Sequence, residues 1–322
     1  MPETSHGIDL VIPLTLEDYE RFKILHLSLD RFYRVPGTRW IITRDDERDE
    51  LNARLAGGGY RVIAEGSVIP ELKVYNRLRI LFGRTHAPTL GWFVLQLAHL
   101  AMADVVGTEF YLTFDSDVVC TKPVRYADLI KDGRAIPRSR RGEVNPYPEW
   151  DEWAERVLGL PRLPMNYGVT PELLNRTAVR SLQQYLAGRV HPALRLLGNA
   201  LPTGSLVRNL LVGWRSYLLR NLPWIDTVVY DTFLERTGQL EQYHRVNGEP
   251  TIAGNCVWYK NTWPTWRPEE SFTNREDFFF SVLQSNTGLT VEEVWERVRP
   301  FLDPGAAGVG ALSSASKDAR LP

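Results

Sequence analysis

The sequence predicts an α/β fold: a mainly parallel sheet flanked by helices, with a more helical C-terminal part. Three observations predict it. Strand and helix signals alternate through the first half of the chain, as in strands joined by crossover helices. An apolar run from Phe110 to Phe114 ends abruptly in Asp115-Ser116-Asp117, which puts a strand in the core and carboxylates at its end. Beyond residue 123 the strand signals thin and helical periodicity takes over. A chain of 322 residues can bury a large core, and 43% hydrophobic with 24% charged residues is ordinary for a globular protein.

The elements follow in order. Residues 8–15, IDLVIPLT, read as a short buried strand that ends at Pro13. Leu16 to Tyr33 reads as a helix with Thr15 as N-cap, since Phe22, Leu25, Leu29 and Phe32 recur at helical spacing and Glu17 and Asp18 lie in the first turn. Residues 38–43 are the second strand and 60–65 the third, with a helix and a Gly57-Gly58-Gly59 turn between them. Trp92 to Val105 reads as a buried helix that feeds the strand before the aspartates. Val118 to Cys120 is a short apolar stretch after them.

In the second half, residues 134–140 have strand character. Thr170-Pro171 reads as the N-cap and first residue of a helix. Residues 224–238 form a helix that Gly238 ends, 251–259 a late strand, and Val291 to Leu302 a last helix capped by Thr290. This divides the chain into an α/β half, 1–123, and a second half of the same domain, 124–302, with a basic helical insertion near 175–225. The tail, 303–322, is small and polar and is expected to be disordered.

Several function classes drop out. A net charge of −1 favours no polyanionic partner, so no nucleic acid is expected. Two cysteines, Cys120 and Cys256, make neither a disulfide framework nor a metal-ligand motif. The N-terminus lacks the basic and apolar regions of a signal peptide, and the most apolar stretch, 92–106, is interrupted by Gln96, His99 and Asp104. A cytoplasmic protein is expected. From residue 173 to 225 there is no acidic residue, while Arg176, Arg180, Arg189, Arg195, Arg208, Arg215 and Arg220 are interleaved with Trp214, Tyr217 and leucines. Such a segment can lie on an anionic bilayer at the inner face of a membrane, bind a phosphorylated acceptor, or simply pack on the protein.

The chemistry concentrates at Asp115 and Asp117. Two carboxylates two residues apart repel each other unless a cation sits between them. Mg²⁺ and Mn²⁺ prefer carboxylate oxygens and keep positions open for phosphate. Ligands on open parallel sheets bind beyond the carboxyl ends of the strands, where Pro13 and Thr15 of the first strand's end would also stand.

The segment GWFVLQLAHLAMA before EFYLTFDSDVV resembles a bacterial branch of the GT-A glycosyltransferases, in which a helix of the form Gly-Trp-x-x-Gln-Gln-x-x-Lys-Leu precedes an Asp-Ser-Asp strand. Gly91, Trp92 and Gln96 match; Leu95 replaces the first glutamine and His99 the lysine. The resemblance covers roughly residues 8 to 260 and is sharp over 91–123. It implies a GT-A-like fold and transfer of a sugar from a nucleotide-diphosphate sugar to a glycan or lipid-linked acceptor. Asp115 and Asp117 would hold Mn²⁺ or Mg²⁺, and Pro13, Thr15, Gln96, Asp115, Ser116 and Asn166 would contact the donor. His244 would be a further metal ligand. Asp231 and Glu235 lie four residues apart, on one helical face. Asp231 falls at the glutamate of the family's Ser-Glu-Tyr-x-Leu-Tyr stretch, so either carboxylate could be the base of an inverting reaction, with Asp226 a lesser candidate. Two alternatives stay open. FDSDVV also fits the motif of a HAD-type phosphatase, with Asp115 as nucleophile, and the fold could serve a binding module without catalysis.

Overall fold

A computed structural model of the chain describes residues 7–81, 90–137, 147–163, 170–246, 250–273 and 278–303. Asn166, residues 138–140 of the strand expected over 134–140, and the tail from 304 lie outside the described residues. The strands are β1 (Ile8–Pro13), β2 (Arg39–Thr43), β3 (Tyr60–Ala64), β4 (Phe110–Thr113), β5 (Val118–Cys120), β6 (Ile130–Lys131), β7 (Arg134–Ala135), β8 (Glu172–Asn175), β9 (Thr251–Ala253) and β10 (Phe278–Val282).

The central sheet has the order β3-β2-β1-β4-β8. Its first four strands are parallel, and β8 closes the edge antiparallel to β4. The expected α/β class and mainly parallel sheet are present. β1 and β4 are buried along their whole length because helices cover both faces, which is why they read as continuous apolar runs. One face packs on helix Leu90–Ala101 and on helices of the second half, through Leu97, Leu182, Leu218 and Trp224. The other packs on helix Tyr19–Phe32 and on a second sheet, β5-β10-β9, through Phe22, Leu25, Phe114 and Phe280. A smaller cluster seats helix Val291–Leu302 through Val294 and Val298 on Val257 and Trp263.

The differences from expectation are local. The first helix begins at Tyr19, with Asp18 rather than Thr15 at its N-cap; Thr15 Oγ1 instead bonds Asp18 Oδ2 at 2.9 Å in the preceding turn. Thr170-Pro171 opens no helix. The open edge of β4 recruits residues 172–175 as a strand, and the helix starts at Arg176. Asn175 caps it, accepting from the backbone N–H of Thr177 and of Ala178 at 3.0 Å each. The strand expected over 251–259 is short and ends at Ala253. Helix Pro148–Leu158 stands where the sequence is rich in Pro and Trp, with Pro148 in its first turn.

The acid-free segment is helical: Arg176–Gly188, Pro192–Asn199, Leu206–Val212 and Trp214–Arg220. Part of its basic charge is used internally. Arg180 and Arg215 both pair with Asp104, and Arg220 donates to the carbonyls of Leu210 and Leu211. Among the described residues no helix is long and apolar enough to cross a membrane.

Candidate active site at the carboxyl edge of the sheet

Parallel pairing aligns the strand ends. β1 and β4 run in register from Ile8 with Phe110 to Val11 with Thr113, and continuing that register brings Pro13 beside Asp115. Thr43 ends β2 opposite Ala64 of β3, next to Glu65. The edge is therefore lined by Pro13 to Thr15, Arg44 to Glu47, Glu65, and Asp115 to Asp117. Backbone groups here are tied down by side chains. Glu47 accepts from the Leu16 N–H at 3.0 Å and pairs with Arg44. Asp45 accepts from the Gly66 N–H at 3.1 Å and pairs with Lys73. A Cβ at Gly66 would come within 2.5 Å of Asp45 Oδ2, so a side chain there would displace that carboxylate.

Asp115 is half-buried, and its backbone N–H donates to Thr170 Oγ1 at 3.2 Å. Burial first and the Asp117 charge second push its carboxyl up to about 7; His99 and Thr170 pull the other way, and Asp226 adds to the rise. Asp117 is 7% exposed. The Ser285 N–H donates to its Oδ2 at 2.7 Å, and its own carbonyl accepts from the Leu283 N–H at 2.9 Å. Burial raises its carboxyl as well, against the Ser285 bond. Asp117 Oδ1 is buried and has no hydrogen-bond partner among the described residues. A buried carboxylate oxygen without a donor, beside a second carboxylate, is a deficit of positive charge. A hard divalent cation fits that deficit. Asp115 and Asp117 would then be its carboxylate ligands, with other positions open to substrate and water.

Beside the aspartates lies a buried polar cluster that the sequence hinted at only in part. His99 Nδ1 is 2.8 Å from Asp226 Oδ2. Gln96, one turn earlier on the same helix face, accepts from the Asp226 backbone N–H at 2.9 Å. The Tyr111 hydroxyl donates to the His99 carbonyl at 2.9 Å. Gln96 Nε2 and His99 Nε2 are buried and have no partner among the described residues. Glu172 of β8, opposite Thr113 and 1% exposed, adds a buried carboxylate on this side of β4.

The remaining expected site residues are spread. Asp231 is buried and Glu235 half-buried on helix Asp226–Arg236. At 100° per residue Asp231 points about 140° away from Asp226, and Asp226 is the residue of this helix whose charge acts on Asp115. His244 Nε2 bonds the Tyr230 hydroxyl at 2.8 Å, which in turn accepts from the Asn175 N–H at 3.2 Å. Sequence reasoning missed two acids. Glu65 is pushed up to about 7 by burial and then by Asp45, and its signal was its place right after a strand. Glu172 had none, because its strand was not recognised.

Residues 5–306 match the Family of unknown function (DUF6492). The chain belongs to that family. No curated protein matches it in sequence. In fold, this DUF6492 member is similar to mouse xyloside xylosyltransferase 1 in its apo form, with a TM-score of 0.43 and 13% identity over 88% of this chain and 100% of that one. It is also similar to the galactosyltransferase LgtC in complex with donor and acceptor sugar analogs, at 0.46 and 10% over 90% and 94%. The apo glycosyltransferase GlyE of Streptococcus pneumoniae gives 0.41 and 11% over 94% and 64%. Likenesses of this size assign no activity to a DUF6492 protein, whose chemistry has to be read from the site itself.

Proposed function

We propose that the protein is a metal-dependent glycosyltransferase that moves a sugar from a nucleotide-diphosphate sugar to a glycan or lipid-linked acceptor. The observation that carries this reading is Asp117 Oδ1: buried, unpartnered among the described residues, and set beside Asp115 at the carboxyl end of a central parallel strand. Asp115 and Asp117 would hold Mn²⁺ or Mg²⁺. The cation, when bound, would stabilise negative charge on the departing nucleoside diphosphate.

The chain's own residues do the rest. Pro13 and Thr15 line the edge next to Asp115, where the donor's nucleotide would lie. Ser116 stands between the two carboxylates, and Asn166 is proposed at the donor sugar. His99 Nδ1 is hydrogen-bonded to Asp226 Oδ2, which leaves His99 Nε2 and Gln96 Nε2 as two polar atoms that sugar hydroxyls could partner. Asp231 or Glu235 would take the acceptor proton if configuration inverts, with Asp226, whose charge acts on Asp115, the lesser candidate. His244 would join the metal site only through Nδ1, since Nε2 is engaged with Tyr230.

For a HAD-type phosphatase Asp115 would be the nucleophile; of the charges that act most strongly on it, Asp117, His99 and Asp226, two are carboxylates and none is a lysine. Release of nucleoside diphosphate from a panel of nucleotide sugars with Mn²⁺ tests the proposal, since such donors are slowly hydrolysed when no acceptor is present. Release from none of them, with turnover of phosphomonoesters instead, would replace the transferase by the phosphatase.

Peripheral membrane contact belongs to the same reading. Leu196, Leu197, Leu206 and Val207 are exposed beside Arg195 and Arg208, on two short helices that carry no acid. Apolar side chains flanked by arginines suit an anionic bilayer surface.

A further inference from the structure

Helix Leu90–Ala101 leads into β4, the strand that ends just before Asp115. Trp92, Gln96 and His99 are spaced i, i+4, i+7 and share one face of it. His99 lies in the buried cluster next to the aspartates. Trp92 is seven residues away, about 10 Å along the axis, and is 42% exposed.

Trp92 does not stand alone. Its ring is 6.3 Å from that of Trp150, which stacks on Tyr147 at 4.4 Å and 24°. The Tyr147 hydroxyl is 3.3 Å from the Tyr259 hydroxyl. Tyr147 is 37% and Tyr259 55% exposed. Three separate parts of the chain thus bring four aromatic rings together at the surface. An exposed group of large rings is costly unless it has an occupant, and rings with polar tips mark sites where a partner is apolar on one side and wet on the other.

We propose that Trp92, Tyr147, Trp150 and Tyr259 form the binding platform for a saccharide acceptor. A pyranose ring has that same divided character. Its C–H faces pack on aromatic rings, and its equatorial hydroxyls reach the phenol oxygens and water. Trp92 shares its helix face with the buried Gln96 and His99, so a sugar seated on the platform would lie on the side of this helix that carries the polar cluster next to the aspartates. This rests on the transferase reading for the role of acceptor, but saccharide binding at the platform does not depend on it.

The test is titration of the full chain with neutral oligosaccharides of varied terminal hexose, followed by tryptophan fluorescence, for wild type, Trp92→Ala and Tyr259→Ala. Trp92→Ala is expected to weaken binding about ten-fold or more, the scale of losing one fully stacked ring; Tyr259→Ala is expected to weaken it less, and both should melt as wild type does. Binding by no oligosaccharide, equal binding by all three proteins, or a response to phosphatidylcholine vesicles in place of sugars would overturn the platform. A separate wild-type titration with nucleoside diphosphates and Mn²⁺ reads the donor site. Saccharide binding without nucleotide binding would keep the platform and remove the transferase.

Discussion

His99 Nδ1 lies 2.8 Å from Asp226 Oδ2, and the two buried side chains join helix Leu90–Ala101 to the first turn of helix Asp226–Arg236. The contact spans 127 residues of sequence and is reinforced by the Gln96 carboxamide on the Asp226 N–H. Removing one partner of a buried hydrogen-bonded pair leaves the other unsatisfied, at a cost of about 1–3 kcal/mol. Asp226→Ala should therefore lower the unfolding free energy by that amount in urea. Asp226→Asn, which keeps an acceptor for Nδ1–H, should cost clearly less. Equal stability of all three proteins would mean that the pair does not hold the two helices together.

The metal-free protein should lose stability as pH rises through the acid range. Asp115, at about 7 in the folded chain, lies above the unfolded value of about 3.9. Below about 4 the carboxyl is protonated in both states; between about 4 and 7 only the unfolded chain releases the proton, so stability falls as pH rises across that window. Asp117→Asn should flatten this slope, because it removes the second-largest cause of the rise and Asp117's own raised carboxyl. Melting curves from pH 4 to pH 8 check this. An unchanged slope in the variant would contradict the coupling.

If the reaction inverts through Asp231, Asp231→Asn should lower turnover by about 10²–10⁴ with donor affinity retained. Steady-state kinetics against direct donor binding separates the two. Near-normal turnover would transfer the role to Glu235 or to Asp226, whose variant should then show the loss.

Vesicle sedimentation tests membrane contact. Wild type should pellet with anionic vesicles at low salt, and less at molar salt, where screening shortens to about 3 Å. Arg195→Gln with Arg208→Gln should weaken binding by about 1 kcal/mol per arginine. Arg215→Gln should change little, because that side chain is held by Asp104. Binding that ignores salt and all three substitutions would remove the bilayer from the account.

The parallel core was legible because each of its strands is a local signal: a short apolar run between turns, fully buried in β1 and β4. The helix at Val291 was legible for a similar reason, its Thr290–Glu293 capping box being contained in four residues. What escaped was set by distant partners. β5 is three residues long and gains its identity from pairing with β10, more than 150 residues later. Thr-Pro at 170–171 has the local form of a helix start, but the free edge of β4 wins and makes the next residues a strand. At the site, the Asp-Ser-Asp pair announced itself, whereas Asp226 ranked below Asp231 until the fold brought it to His99. Spacing along a helix told which residues share a face and not which face meets the sheet.

Asp115 and Asp117 are proposed to form a metal-dependent site for a nucleoside diphosphate. Calorimetric titration with UDP, GDP, ADP, CDP and dTDP, each with and without Mn²⁺, tests it most directly, in the wild type and in Asp117→Asn. At least one diphosphate should bind the wild type only with Mn²⁺, and Asp117→Asn should abolish this binding while still melting as a folded protein. Binding of equal strength without metal, or by the variant, would contradict the proposed site.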